Sequence, residues 1–155
     1  MRKMLACLAL SLVMTGAPAV SQSPPASAER TIVNDRAALN RLRRNSGLTL
    51  QWISFEQTGR GHVTVTERNG LVHLRGSQTQ NRGAGRVDLD GDVLAIGPRS
   101  FTFRGRIMIE NAPDPDRQCL REGTYEFRAT GTRRYWRLQQ MTVCDGLTDY
   151  VDIYY

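Results

Sequence analysis

Residues 119–144 read CLREGTYEFRATGTRRYWRLQQMTVC, and the alternation in this stretch decides the fold. Gly131-Thr132 suits a two-residue turn with glycine first, because that position needs a backbone only glycine adopts freely. Such a turn pairs Thr130 with Arg133. Phe127 then meets Trp136 and Tyr125 meets Leu138 on one face, while Arg128 meets Tyr135 and Glu126 meets Arg137 on the other. Carried outward, the same register sets Cys119 opposite Cys144 as a non-hydrogen-bonded pair, with Cα atoms about 4.5 Å apart. That spacing is within reach of a disulfide. A bond closing a loop of this length contributes roughly 3 kcal/mol.

The same period of two runs through the chain from Leu48 onward. Residues 48–55 read as a first strand. Residues 62–68 and 71–77 flank Asn69-Gly70, the strongest short hairpin signal. That turn pairs Arg68 with Leu71, puts Val63, Val65, Leu74 and Gly76 on one inward face, and leaves Thr64, Thr66, His73 and Arg75 outside. Asp90-Gly91, between residues 87–89 and 94–96, reads as a second hairpin turn. Phe101, Phe103, Ile107 and Ile109 alternate with polar positions, with Gly105 in the inward phase as a bend or close approach. Residues 150–155 close the chain as a last strand. The reading is all-β: about nine short strands in a small antiparallel meander, closed as a barrel or folded as a two-sheet sandwich. The barrel is favoured because closure removes edge strands. One short N-terminal helix precedes the strands. Asn34 or Asp35 caps it, Ala38, Leu39 and Leu42 share a face, and Asn45-Ser46-Gly47 stops it.

Upstream, Met1-Arg2-Lys3 is followed by eleven mostly apolar residues, 4–14, and two A-x-A sites, Ala17-Pro18-Ala19 and Ala26-Ser27-Ala28. A charged start, a short apolar run and a small-residue site make a secretory signal. Eleven residues are too few for a bilayer span, which takes about 20. The expected organisation is a signal peptide over 1–19 (or 1–28), a flexible linker over 20–33, and one β domain over 34–155. Export to the periplasm or beyond follows, and with Cys7 removed the remaining pair, Cys119 and Cys144, is expected to form the disulfide of an oxidising compartment.

The whole chain carries a net charge of +6; loss of Arg2 and Lys3 leaves 19 of its 21 basic residues against 15 acidic ones, a net +4. Lys3 is the only lysine. A charge of this size spread over the chain speaks for solubility rather than for a ligand, and an exported protein is not expected to meet nucleic acid.

Each candidate site has a plain alternative. The only histidines, His62 and His73, fall about 13 Å apart in the Asn-Gly register, too far for one metal ion. Asp88, Asp90 and Asp92 resemble a calcium loop but lack its glycine position and closing glutamate. Glu110, Asp114 and Asp116 lie with Pro113 and Pro115 in what reads as an irregular loop. Residues 133–137 mix arginine with Tyr135 and Trp136, but alternation sends Trp136 inward. The outward set, Tyr135, Arg128, Glu126 and Arg137, is a candidate interaction surface. No catalytic, zinc or phosphate-loop motif occurs, and no cofactor is expected.

The closing segment, Tyr135-Trp136-Arg137-Leu138-Gln139-Gln140-Met141, then Cys144-Asp145-Gly146, then Asp149-Tyr150-Val151-Asp152-Ile153-Tyr154, resembles that of a family of exported bacterial proteins of uncharacterised function. The resemblance implies a bacterial periplasmic or secreted setting and no particular activity. Two functional classes remain. One is a non-enzymatic binding module of the envelope, taking a small apolar ligand or a protein partner. The other is a periplasmic enzyme with a noncanonical carboxylate or tyrosine site. The barrel interior separates them: an open cavity means carriage, a filled core means surface interaction, and convergent buried carboxylates mean catalysis.

Overall fold

The computed structural model describes residues 29–53 and 58–155; the expected signal peptide and most of the expected linker lie outside them. Nine strands form one nearly closed barrel-shaped sheet, antiparallel but for one short parallel pair. β1 is Ile32–Val33, α1 Arg36–Arg43, β2 Leu48–Leu50, β3 His62–Arg68, β4 Leu71–Thr79, β5 Arg86–Ile96, β6 Ser100–Glu110, β7 Gln118–Arg128, β8 Tyr135–Leu138 and β9 Val151–Tyr154. Around the barrel the order is β2-β9-β8-β7-β6-β5-β4-β3, with β1 parallel to the end of β5.

The helix forms for local reasons. Asp35 has an extended backbone and its side chain accepts from the Ala38 N–H, which satisfies one of the four unpaired donors of a first turn. Ala38, Leu39 and Leu42 are buried. Asn45 takes the Gly47 N–H on its Oδ1, and Gly47 turns the chain at φ +101°. The sheet begins earlier than the sequence reading placed the domain. Thr31 is buried between Val93 O and Val72 N, and Ile32 and Val33 pair with Ala95 and Ile96.

The Asn69-Gly70 hairpin has the expected register, with Arg68 opposite Leu71 and Val65 opposite Leu74. Two other expectations are corrected. Asp90-Gly91 is no turn: β5 runs unbroken through it, paired with β4 on one side and β6 on the other. Gly91 instead opposes Gly105, which opposes Gly123. A Cβ on Gly105 would come within 2.5 Å of Gly91 Cα, and the Phe103 ring fills the space over both. The expected strand over 48–55 ends at Leu50 and turns at 51–53; residues 54–57 lie outside the described residues.

Inward positions are packed with side chains. Trp136, Phe101, Phe103, Phe127, Leu74 and Ile107 are all fully buried. Phe101 stacks on Phe127 at 4.9 Å, and Trp136 meets Phe101 edge-on at 5.6 Å. The seam between β2 and β3 is closed by little backbone pairing, with Gly61 N–H on Leu48 O. Side-chain amides close the rest. Asn45 Nδ2 donates to Val63 O. Buried Gln78 takes the Leu50 N–H and gives its own to Gly59 O. An unpaired edge inside a domain would leave buried backbone groups unsatisfied, and these two amides supply the missing partners.

The glycine row gives a test. Gly105→Ala should cost roughly 1–3 kcal/mol, because the added methyl meets backbone that cannot yield. Gly123→Ala, whose methyl would lie 3.5 Å from its nearest neighbour, should stay within about 0.5–1 kcal/mol. Denaturant unfolding of both variants measures this; equal losses would contradict the close approach.

Candidate functional site

Strands β7, β8 and β9 lie side by side and turn alternate residues outward. On β9 these are Asp152, which is itself buried, and Tyr154, on β8 Tyr135 and the partly buried Arg137, on β7 Glu126 and Arg128. Arg137 opposes Asp152, and Tyr135 opposes Tyr154. The guanidinium of Arg137 binds Asp152 through two parallel bonds, Nε to Oδ1 at 2.8 Å and Nη2 to Oδ2 at 2.7 Å. Hydrogen bonding to Asp152 raises the Arg137 pKa further, against the opposing effect of burial. So held, Arg137 stacks 4.0 Å from the Tyr150 ring and 5.2 Å from Tyr135. Tyr135 packs on Tyr154 at 5.1 Å, and Arg60 lies 3.9 Å over Tyr154. The result is a row of tyrosine and arginine planes across the outer face, in the order Tyr150, Arg137, Tyr135, Tyr154, Arg60. Cation–π contacts of this kind contribute about 0.5–1 kcal/mol each where exposed.

The four residues singled out from sequence are therefore neighbours, but not in the pairs expected. Phe127 opposes Leu138 and Arg128 opposes Arg137, a register two residues away from the expected one. The turn itself forms, with Gly131 at φ +57° and Arg133 N–H on Thr130 O. The strands do not zip up to it, because Ala129 leaves β8 and donates to Arg99 O, while Arg99 binds Ala129 O and Gly131 O. A shift of two preserves both faces, so Trp136 is buried and Tyr135 is half-exposed. Glu126 and Arg128 form their own ion pair at 2.7 Å beside the tyrosine row. Asp152, Tyr150, Tyr154 and Arg60 were missed. The first three alternate along the last strand with inward Val151 and Ile153, a signal present in the sequence.

Cys119 and Cys144 are bonded, with Cα atoms 5.8 Å apart. They are not opposed in a ladder, as the sequence register had them. Cys119 lies on β7 opposite Ile109, and Cys144 sits in the loop beyond β8. Beside the disulfide lies a buried charge cluster that the sequence did not announce. Asp149 is fully buried. Its Oδ1 accepts from Trp52 Nε1 at 2.8 Å and Arg117 Nη1 at 3.1 Å, and its Oδ2 from Arg117 Nη2 at 3.0 Å and from Arg121. Arg121 also reaches Gln140 O and Cys119 Sγ. Burial lowers the Arg121 pKa despite Asp149. Burial acts the same way on Arg117, but hydrogen bonds and attraction from Asp149 outweigh it and raise the value. Burial also raises the Tyr125 hydroxyl, against the pull of Arg121. Asp149 has its acceptor positions taken and no exposed surface, so the cluster is a structural clamp rather than a reaction centre.

The PM1083 family matches this chain over residues 30–155. The chain belongs to the PM1083 family. One relative, the uncharacterized protein PM1083 of Pasteurella multocida (strain Pm70), is 39% identical over 118 residues, which cover 75% of this chain and 74% of that protein. No solved structure matches. The PM1083 family match covers the whole barrel, α1 and both cysteines.

The two faces of β8 make the site testable. Trp136→Ala should lose roughly 3–5 kcal/mol, as large buried aromatics do. Tyr135→Ala should lose well under 1.5 kcal/mol. Urea unfolding of both variants checks this, and equal losses would mean the hairpin is covered on both faces.

Proposed function

We propose that the protein is an exported, non-enzymatic interaction module of the bacterial envelope, and that it meets a protein partner with the outer face of β7–β9. One observation carries the reading: a filled barrel bears on its outside a tyrosine–arginine array whose central cation is already fixed by Asp152. Tyrosine and arginine are enriched at binding hot spots. Tyrosine offers a large contact area for two torsions, and a cation already held in place loses less freedom on binding. Arg128, with half its side chain exposed, and Glu126 border the array as polar rim.

Compartment supports the same reading. The disulfide suits an oxidising environment, and residues 1–14 have the charge and apolar run of an export signal. Among the described residues no helix is long and apolar enough to cross a membrane. The packed interior argues against carriage of a small apolar ligand inside the barrel. Asp149, at the centre of the buried charge cluster, has its oxygens taken by Trp52, Arg117 and Arg121, which argues against its use in catalysis.

The test is position-specific photocrosslinking in the intact exporting cell. A photoreactive side chain in place of Arg128 should give a discrete adduct with a second protein; one in place of Arg75, which lies 79% exposed on β4, should not. Adducts of equal yield from both positions, or none from Arg128, would overturn the proposal.

A further inference from the structure

Apart from the tyrosine row, the end of the barrel that holds α1 carries a concavity of about 490 Å³. Four arginines line it, Arg41 from the helix, Arg99 from the β5–β6 turn, and Arg133 and Arg134 from the β7–β8 loop, with Tyr155 beside them. No acidic side chain is among its described lining residues. Elsewhere on this protein several arginines are matched with acids, as in Arg43–Glu67, Arg86–Asp88, Arg128–Glu126 and Arg137–Asp152, while others, such as Arg36 and Arg44, stand singly; what sets this place apart is that four such cations share one concavity. Here none of the four forms an ion pair among the described residues.

Their donors are only partly used. Arg41 Nη2 donates to Pro98 O, Arg99 to Ala129 O and Gly131 O, and Arg133 Nη1 to Thr130 Oγ1 at 3.3 Å. The Arg134 guanidinium has no recorded partner among the described residues. A guanidinium carries five N–H donors, so most remain free. Two buried donors near this place lack acceptors among the described residues: Arg41 Nε, on a residue of the lining, and Trp136 Nε1, in the core behind it. Both residues contact the Tyr155 ring, Arg41 at 5.5 Å and Trp136 at 4.1 Å. Buried donors are almost always satisfied, so this end of the molecule is short of acceptor oxygens as well as of negative charge.

We propose that the Arg41–Arg99–Arg133–Arg134 concavity binds a phosphate-bearing anion. A phosphoryl group offers several charged oxygens at once, and planar guanidiniums bind such oxygens in pairs. A single carboxylate would engage one fork and leave the other cations repelling one another. The carbonyl bonds of Arg41 and Arg99 hold two of the forks in place before a ligand arrives, and exposed Arg133 and Arg134 close over it. The inference rests on donors other than those of the protein-binding face of β7–β9, which it touches only where Arg133 lies 5.7 Å from the Tyr135 ring.

The probes are inorganic phosphate and pyrophosphate, followed by calorimetry, and vesicles of phosphatidylcholine with and without phosphatidylglycerol, followed by cosedimentation. The variants are Arg133→Gln/Arg134→Gln and, as a control of equal charge loss on another face, Arg75→Gln/Arg106→Gln. Wild-type protein should bind pyrophosphate saturably or sediment with the anionic vesicles, and Arg133→Gln/Arg134→Gln should weaken that binding by at least about tenfold, the scale of one or two charge-assisted bonds. The control pair should change it less than about threefold. Binding of the soluble anions identifies a free phosphate or phosphate ester as ligand; binding only of anionic vesicles identifies a lipid headgroup. Equal weakening by both double variants would reduce the effect to net charge and overturn the site. So would absence of saturable binding to every probe. Loss of crosslinking at Arg128 with this binding intact would count only against the protein-binding face.

Discussion

Asp149 holds the disulfide end of the barrel together. One fully buried carboxylate accepts from Trp52 after β2, from Arg117 at the entrance to β7 and from Arg121 within β7, while Arg117 and Arg121 also bind Ala112 O and Gln140 O. Two stretches far apart in sequence, at Trp52 and at residues 117–121, thus converge on the anion that Asp149 supplies from a third. Burying an unpaired charge costs several kcal/mol, so each of these groups is tolerable only with the others in place. Arg117 reaches out to Asp145 at 3.3 Å, next to Cys144, so the disulfide and the charge cluster secure the same loop. Asp149 stands two residues before β9, and β9 carries the Asp152 that fixes Arg137. The geometry of the outer face therefore rests on the clamp beneath it.

Parity was legible in the sequence throughout, and register at the Asn69-Gly70 hairpin; the register of the last hairpin and the partner of Gly91 were not. Alternation placed Phe101, Phe103, Phe127, Trp136 and Leu138 inside, and all are buried. At Asn69-Gly70 the turn chemistry and the alternation agreed, and the hairpin followed. Asp90-Gly91 has the same turn composition but a different cause. Its glycine allows close approach to Gly105, and that partner is named only by strand pairing across the sheet. In the last hairpin the turn was found, yet Arg99, thirty residues from Ala129, takes the carbonyl there and leaves the strands two residues out of the expected step. The expected step sets Cys119 opposite Cys144, whereas Cys119 opposes Ile109 and Cys144 lies in the loop beyond β8. The disulfide forms all the same, through a loop, because pairing two cysteines needs only proximity.

The candidate site shows the same division. Tyr135 and Arg137 were visible as outward residues of β8. What makes them a site is Asp152, Tyr150, Tyr154 and Arg60, which reach them from other strands and from the segment before β3. Contacts such as Arg60 over Tyr154 depend on barrel closure and carry no local signature. The cationic concavity is equally non-local, since it draws Arg41 from α1, Arg99 from the β5–β6 turn and Arg133 and Arg134 from the β7–β8 loop. Both surfaces lie outside a packed core, so this fold offers rigid display rather than enclosure. Function on such a scaffold sits in side chains the barrel merely positions.

The central claim is that Asp149 clamps the barrel, and equilibrium unfolding of two aspartate variants tests it most directly. Asp149→Ala leaves two buried guanidiniums without their anion and should lose roughly 3–5 kcal/mol. Asp145→Ala removes a carboxylate that is 63% exposed and should lose less than about 1 kcal/mol. Losses of the predicted size and order would establish the clamp; an Asp149→Ala variant as stable as Asp145→Ala would contradict it.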